Sequence, residues 1–223
     1  MDIAVFIGIY AEPVSYGLCF LFMCGMALYE PLPKLKLLAV YYFLGTILMV
    51  KAAIADNNIK LYSLLSALTA TAMCVYFFYT LTTRSKKIAV VVLYAANMLY
   101  FLASELTVTT VFDSGAFVLL SSSVVAMVFM FMHQTLSQVT EQPLSLNFDF
   151  WFACAQLVYH VGAFAIFLSN RYLSLMIIAE NTMESRILFT ELWGVHSVLL
   201  FLSSLIIAGS VLWIFYRNRS PLF

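Results

Sequence analysis

The sequence carries little charge. Charged residues make up 10% of its 223 residues, hydrophobic residues make up 64%, and the formal net charge at pH 7 is zero. A soluble domain of this length cannot cover its surface with so few charges, so we expect the chain to lie in a membrane. The zero net charge and the lack of a long basic run give no reason to expect nucleic acid as a partner or an electrostatic lipid anchor.

Several chemical signatures are missing as well. The four cysteines lie in apolar stretches and form no CxxC pair, so they are interpreted as small packing residues. The last apolar stretch, Leu188 to Tyr216, contains no lysine, which excludes the retinal Schiff base of microbial rhodopsins. The HxxxH pair of the ceramidase-like membrane hydrolases is absent, and no internal repeat indicates an inverted-repeat transporter.

Hydrophobic runs fill most of the chain. The seven predicted spans are 3–28, 35–55, 60–82, 87–106, 115–135, 150–169 and 188–216. The breaks between them are charged or turn-forming, and the longest is the stretch from Asn170 to Arg186. The first run begins at Ile3 without a basic segment before it, which predicts a retained helix and not a signal peptide.

The length of these runs determines the fold class. Bilayer hydrocarbon offers the backbone no hydrogen-bond partners, so apolar runs of about twenty residues must be helices. The sequence therefore predicts an all-α, polytopic integral membrane protein, with one seven-helix transmembrane domain over residues 1–223. The lipid bilayer is its first expected partner.

Basic residues predict the orientation. Seven of them lie in the loops that follow spans one, three and five and in the C-terminal tail, namely Lys34, Lys36, Arg84, Lys86, Lys87, Arg217 and Arg219. Four lie on the other side, namely Lys51, Lys60, Arg171 and Arg186. Because basic residues accumulate on the cytoplasmic side, the N-terminus is predicted outside and the C-terminus inside.

Four ionisable residues within the spans are the candidates, namely Glu12, Glu105, His160 and His196, whereas Lys51, His133 and Glu191 lie near span ends, where water can reach them. Each of the four costs a few kcal/mol at the bilayer centre unless it is paired or hydrated, so these residues are the candidate chemistry of the chain. Pro13 follows Glu12 and removes a backbone N–H, which predicts a bend in the first helix with Glu12 facing protein or a cavity.

The two histidines are predicted to lie at similar depth and to share one polar environment with Glu105 or Glu12. Gln156 and Tyr159 lie on the face of His160, and Asn97 belongs to a polar stripe on span four. We expect this ligand-binding region in the outer half, between spans one, four, six and seven. Packing alone would also explain these polar residues. His160 and His196 could hold a metal ion or, as a bis-histidine pair, a haem, and the sequence identifies no cofactor.

The C-terminal third carries a resemblance. The segments 150–152, 157–162 and 191–197 read FWF, LVYHVG and ELWGVHS. They resemble the small seven-helix membrane proteins of Bacteroidetes-type bacteria, which often accompany sensor histidine kinases. The resemblance covers spans six and seven, and it implies a sensory or receptor-like module in the bacterial inner membrane.

Such a module needs a separate signalling protein as partner, since the predicted cytoplasmic tail is only Arg217 to Phe223. Two alternatives stay open. One is an intramembrane, metal-dependent enzyme acting on lipid. The other is a small transporter or a structural subunit of a membrane complex. The sequence does not decide whether the chain is an enzyme.

Overall fold

The computed structural model of the chain consists of helices and short connections over its described residues. These are 3–54, 59–107, 114–138, 143–180 and 183–219. Within the helices, the side chains of 3–9, 59, 105, 107, 171, 173–180, 183–186, 189 and 218–219 lie outside the described set. The helices are α1 (Ile3–Tyr29), α2 (Pro33–Ile54), α3 (Ile59–Thr80), α4 (Arg84–Thr107), α5 (Ser114–Ser137), α6 (Phe148–Glu180) and α7 (Met183–Arg219). A short 3₁₀ turn, Leu144–Leu146, precedes α6.

The all-α prediction and the count of seven helices are confirmed. Each helix contains a stretch long and apolar enough to cross a membrane, from 20 residues in α1 to 28 in α7. The described residues contain no β-strand. The first helix runs through Pro13 without interruption, so the missing N–H does not end it.

The predicted break from Asn170 to Arg186 separates the sixth and seventh membrane spans, Phe148–Asn170 and Thr190–Arg217, but most of it is helical. The structure continues α6 to Glu180 and begins α7 at Met183. This segment contains no proline or glycine, so its backbone can keep its helical hydrogen bonds after the hydrophobic run ends. With 33 and 37 residues, α6 and α7 are about 50 and 55 Å long, well beyond the roughly 30 Å of a bilayer core.

Successive helices alternate in direction. The first residues of α1, α3, α5 and α7 define one end of the bundle, which we call the N-terminal end; α2, α4 and α6 begin at the opposite, C-terminal end. The most extensive packing joins α1 with α2 and α7, and α6 with α5 and α7. Helix α4 packs mainly against α3 and α5 and is the least buried of the seven.

Large apolar side chains fill the middle of the bundle. Five of them, at most 1% exposed, come from five helices and form what we call the apolar layer: Met23, Leu38, Met73, Phe152 and Ile207. On α6, Phe152 lies three residues after Asp149 and four before Gln156. The apolar layer therefore separates polar groups at the C-terminal end from those nearer the N-terminal end.

An ion pair joins two helices at the C-terminal end of the bundle. The ammonium group of Lys34 on α2 pairs with the carboxylate of Asp149 at the start of α6. The hydroxyl of Tyr76 on α3 donates to the other oxygen of Asp149 at 2.6 Å, and the Lys34 ammonium lies 5.8 Å from the Tyr76 ring centre. Three helices are thus joined at one carboxylate.

Replacing Lys34 by methionine is expected to lower the free energy of unfolding by about 1 kcal/mol. The Asp149 carboxylate keeps Tyr76 but loses its cation, and the loss stays modest because both charged groups are partly exposed to water. Thermal unfolding in detergent measures the change. The exposed Lys36, two residues along the same helix, supplies the control Lys36→Met, which should change stability by less than about 0.5 kcal/mol. Equal effects of the two variants would contradict a stabilising role for the ion pair.

Candidate functional site

Polar side chains from three helices meet at Glu12. This residue is only 3% exposed and lies on α1, in the half of the bundle nearer the N-terminal end. The hydroxyl of Tyr62 on α3 donates to Oε2 at 2.9 Å, and the hydroxyl of Ser197 on α7 donates to Oε1 at 3.2 Å. Glu12 thus accepts hydrogen bonds from two other helices.

His196 continues this polar cluster. Its Nδ1 lies 3.3 Å from Oε1 of Glu12, and its Nε2 lies 2.7 Å from the hydroxyl of Tyr159 on α6. The imidazole therefore stands between a carboxyl group and a phenol, and which ring nitrogen carries a proton depends on the tautomer. The pair of Glu12 and His196 can hold a shared proton as acid plus imidazole or as carboxylate plus imidazolium.

Aromatic rings cover this pair towards the N-terminal end. Trp193 and Phe167 lie 5.2 and 5.0 Å from the His196 ring, centre to centre, and Tyr62 meets Trp193 edge-on at 5.2 Å. We call Trp193, Phe167 and Tyr62 the aromatic cap. Trp193 and Tyr62 are only half-buried, and among the described side chains the aromatic cap lies between the pair and the N-terminal surface.

A small polar cavity lies on the other side of Tyr159. The volume in which the centre of a water molecule can lie is about 20 Å³. The lining of the cavity is Ser15, Tyr16, Cys19, Tyr41, Tyr42, Gln156, Tyr159, His160, Leu200, Ser203 and Ser204. The hydroxyl of Tyr41, in the cavity wall, lies 3.3 Å from the hydroxyl of Tyr16 and 3.1 Å from that of Thr69.

His160 lines this cavity and is only 2% exposed. Its Nδ1 lies 3.3 Å from the hydroxyl of Ser121 on α5, which does not line the cavity, whereas its Nε2 has no hydrogen-bond partner among the described residues. The ring centre of Tyr159 lies 4.7 Å from His160 and 5.5 Å from His196. The two imidazole centres are thus no farther apart than the sum of these distances, below the limit of about 12 Å for sharing one ligand or a short water chain.

The predicted site residues divide into three groups. Glu12 and His196 form the close pair, although no hydrogen bond joins Nδ1 of His196 to a described group; Tyr159 is hydrogen-bonded to His196, and Gln156 and His160 line the adjoining cavity. Asn97 is placed elsewhere: its amide donates to Ser123 and to the Leu93 carbonyl, which ties α4 to α5. The side chain of Glu105 lies outside the described residues. Helix α3, not α4, therefore completes the described part of the site.

Three contributors were not predicted. Tyr62 and Ser197 bind Glu12, and Ser121 holds His160. Ser197 directly follows His196, and a turn-by-turn reading of α7 could have placed it on the buried face. Nothing in the sequence distinguishes Tyr62 or Ser121 from the many other tyrosines and serines of the chain.

Metal binding has little support in the described residues, where no group of three His, Cys, Asp or Glu side chains converges. The pair of Glu12 and His196 offers two ligands, whereas a catalytic zinc ion takes three protein ligands. Tyr159 occupies the space beside both histidines. The described geometry favours proton and hydrogen-bond chemistry over a metal centre.

Comparisons of the chain with known protein families, with curated proteins and with solved structures found no match.

Proposed function

We propose that this protein is a membrane-embedded sensory module that responds to a signal on its outer side and acts through a separate signalling protein. In this proposal the N-terminal end of the bundle faces outward, the C-terminal end faces the cytoplasm, and the chain resides in the bacterial inner membrane. The pair of Glu12 and His196, with the adjoining cavity, is the input site.

The observation that carries the proposal is the bridging position of the pair. Through Tyr62, Ser197 and Tyr159, the Glu12–His196 pair connects α1, α3, α6 and α7 at one point. A change of charge or hydrogen bonding there alters contacts of all four helices together, and ionisable residues inside a membrane are functional candidates by default. A two-state bundle biased by one local charge is a common design for switches.

The apolar layer favours a sensor over a transporter. A transported ion or solute would have to cross the layer, whose five described side chains are closely packed and at most 1% exposed. Towards the N-terminal end, in contrast, the described side chains that cover the pair are those of the aromatic cap. A site that lies close to the N-terminal end and is separated from the C-terminal end suits detection of a signal from the N-terminal end.

Photo-crosslinking in the native cell tests this function. A photoreactive residue in place of Tyr216, which is 67% exposed near the end of α7, should capture a signalling partner at the C-terminal end. Glu12→Gln removes the ability to carry charge at the site, so it should change the crosslinking yield about fivefold or more, as typical coupling energies predict. The control Glu30→Gln, at the exposed end of α1, should leave the yield unchanged.

Two outcomes would contradict the sensory function. One is a crosslinking pattern that stays the same in the protein with Glu12→Gln. The other is solute or ion flux into proteoliposomes that requires Glu12, since that result would place the same residue in a transport path.

A further inference from the structure

Tyr159, which is hydrogen-bonded to His196, and His160 both line the same cavity. The Nδ1 of His160 is directed to Ser121, outside the cavity. The other ring nitrogen, Nε2, is buried and has no hydrogen-bond partner among the described residues. A buried donor or acceptor without a partner is costly, so this nitrogen requires one.

The cavity has the size and polarity for one water molecule. A buried water needs roughly 10–15 Å³ of space for its centre and two to four polar partners. The cavity offers about 20 Å³, and Tyr159, Gln156 and His160 supply hydroxyl, amide and imidazole groups in its wall. Larger ligands do not fit this volume.

We propose that the cavity binds a single water molecule that joins Tyr159 to His160 and completes a proton relay from Glu12 to His160. This inference rests on the proposed sensory function and names the ligand of the input site as the proton. The relay connects α1, α7 and α6 and reaches α5 through Ser121.

The transfer balances with one proton and no other reactant. It starts with Glu12 protonated on Oε1, His196 protonated on Nε2, and His160 protonated on Nδ1 only. Oε1 gives its proton to Nδ1 of His196, and Nε2 of His196 gives its proton to the Tyr159 oxygen. The Tyr159 hydroxyl gives its own proton to the water, and the water gives one to Nε2 of His160.

At the end of this transfer, Glu12 is a carboxylate that accepts bonds from Tyr62 and Ser197. His160 is an imidazolium that donates to Ser121 and to the water. One O–H bond is broken at Glu12 and one N–H bond is formed at His160, while Tyr159 and the water are restored. The transfer leaves a negative charge at Glu12 on α1 and a positive charge at His160 on α6, and His196 ends with its proton on Nδ1.

The other ionisable groups facing the relay can be named by helix. They are Tyr16 and Cys19 on α1, Tyr41 and Tyr42 on α2, and Tyr62 on α3. No lysine or arginine lines the cavity, and the α5 contact, Ser121, does not ionise. The charge of the relay is therefore determined by Glu12, His196 and His160 and not by a fixed cation beside them.

Hydrogen exchange at His160 tests the relay. The full chain, with isotope-labelled histidine, is placed in lipid nanodiscs, and exchange of the His160 ring N–H with deuterated water is followed by NMR. Tyr159→Phe removes the hydroxyl between the two histidines and should slow this exchange on the order of a hundredfold, the lower range for a positioned proton-transfer group. Tyr79→Phe, which removes an exposed hydroxyl outside the cavity, should leave the rate within about twofold.

A second variant tests the water itself. Ser203→Val fills the cavity from α7 and should slow exchange as Tyr159→Phe does, whereas Ser210→Val, seven residues along the same buried face, should not. Wild-type exchange rates in either Tyr159→Phe or Ser203→Val would overturn the relay. Wild-type exchange together with a changed crosslinking yield at Tyr216 in Glu12→Gln would contradict the relay but not the sensory function. Slowed exchange together with an unchanged crosslinking yield would support the relay and contradict the sensory function.

Discussion

Replacing Glu12 by alanine is expected to lower the free energy of unfolding by about 3 kcal/mol, the upper range for leaving a buried polar group without its partner. The side chains of Glu12 and His196 are only 4% and 5% exposed, so water cannot take the place of the lost carboxylate. The hydroxyls of Tyr62 and Ser197 lose this acceptor at the same time, although that of Ser197 also donates to the Trp193 carbonyl.

Thermal or denaturant unfolding in detergent measures this loss. The control Glu30→Ala removes an exposed carboxylate from the other end of the same helix and should change stability by less than about 0.5 kcal/mol. Glu12→Gln keeps the size of the side chain and an oxygen acceptor, so its loss of stability should lie between those of Glu12→Ala and Glu30→Ala. If the protein with Glu12→Ala were as stable as the protein with Glu30→Ala, the cluster around Glu12 would contribute nothing to folding.

Gly45→Ala is expected to cost about 3 kcal/mol, the upper range for overpacking a buried site. A methyl group on Gly45 would overlap the ring of Tyr16 across the contact of α2 with α1. That ring cannot move away easily, because it packs against Tyr41 and Tyr42 and its hydroxyl lies 3.3 Å from that of Tyr41. Displacing Tyr16 would also change the wall of the cavity beside His160.

Gly209→Ala is the matched control for this substitution. Gly209 is an exposed helical glycine on α7, and a methyl group there would meet nothing within 4 Å. Alanine stabilises a helix by about 1 kcal/mol relative to glycine, so this variant should be neutral or more stable. In the same unfolding measurement, Gly45→Ala should lower the free energy of unfolding and Gly209→Ala should not. A gain in stability from Gly45→Ala would show that α1 and α2 separate easily.

The number and type of elements follow directly from the sequence. Each hydrophobic run is as long as a bilayer is thick, and no backbone other than a helix satisfies itself in hydrocarbon. The structure differs in the segment after Asn170, where polarity rises but no helix-breaking residue appears. Hydropathy reports where a helix leaves lipid, and it does not report where the helix ends.

The site was less predictable than the fold. Burial cost alone identified Glu12, His160 and His196 as candidates, and helical rise placed the two histidines at similar depth. Which helices become neighbours depends on packing of the whole bundle, and helical periodicity within one span does not contain that information. The sequence reading therefore placed α4 at the site, although the described contacts of Glu12 come from α3 and α7.

The position of the apolar layer has an electrical consequence. In a low-dielectric barrier the membrane potential falls mainly across the dry region, and moving one charge through the whole barrier is worth about 2.3 kcal/mol per 100 mV. The pair of Glu12 and His196 lies on the N-terminal side of that layer, beneath the aromatic cap. A charge that reaches the pair from this side crosses little of the voltage drop, so occupancy of the site should follow ligand concentration on that side and depend only weakly on membrane potential.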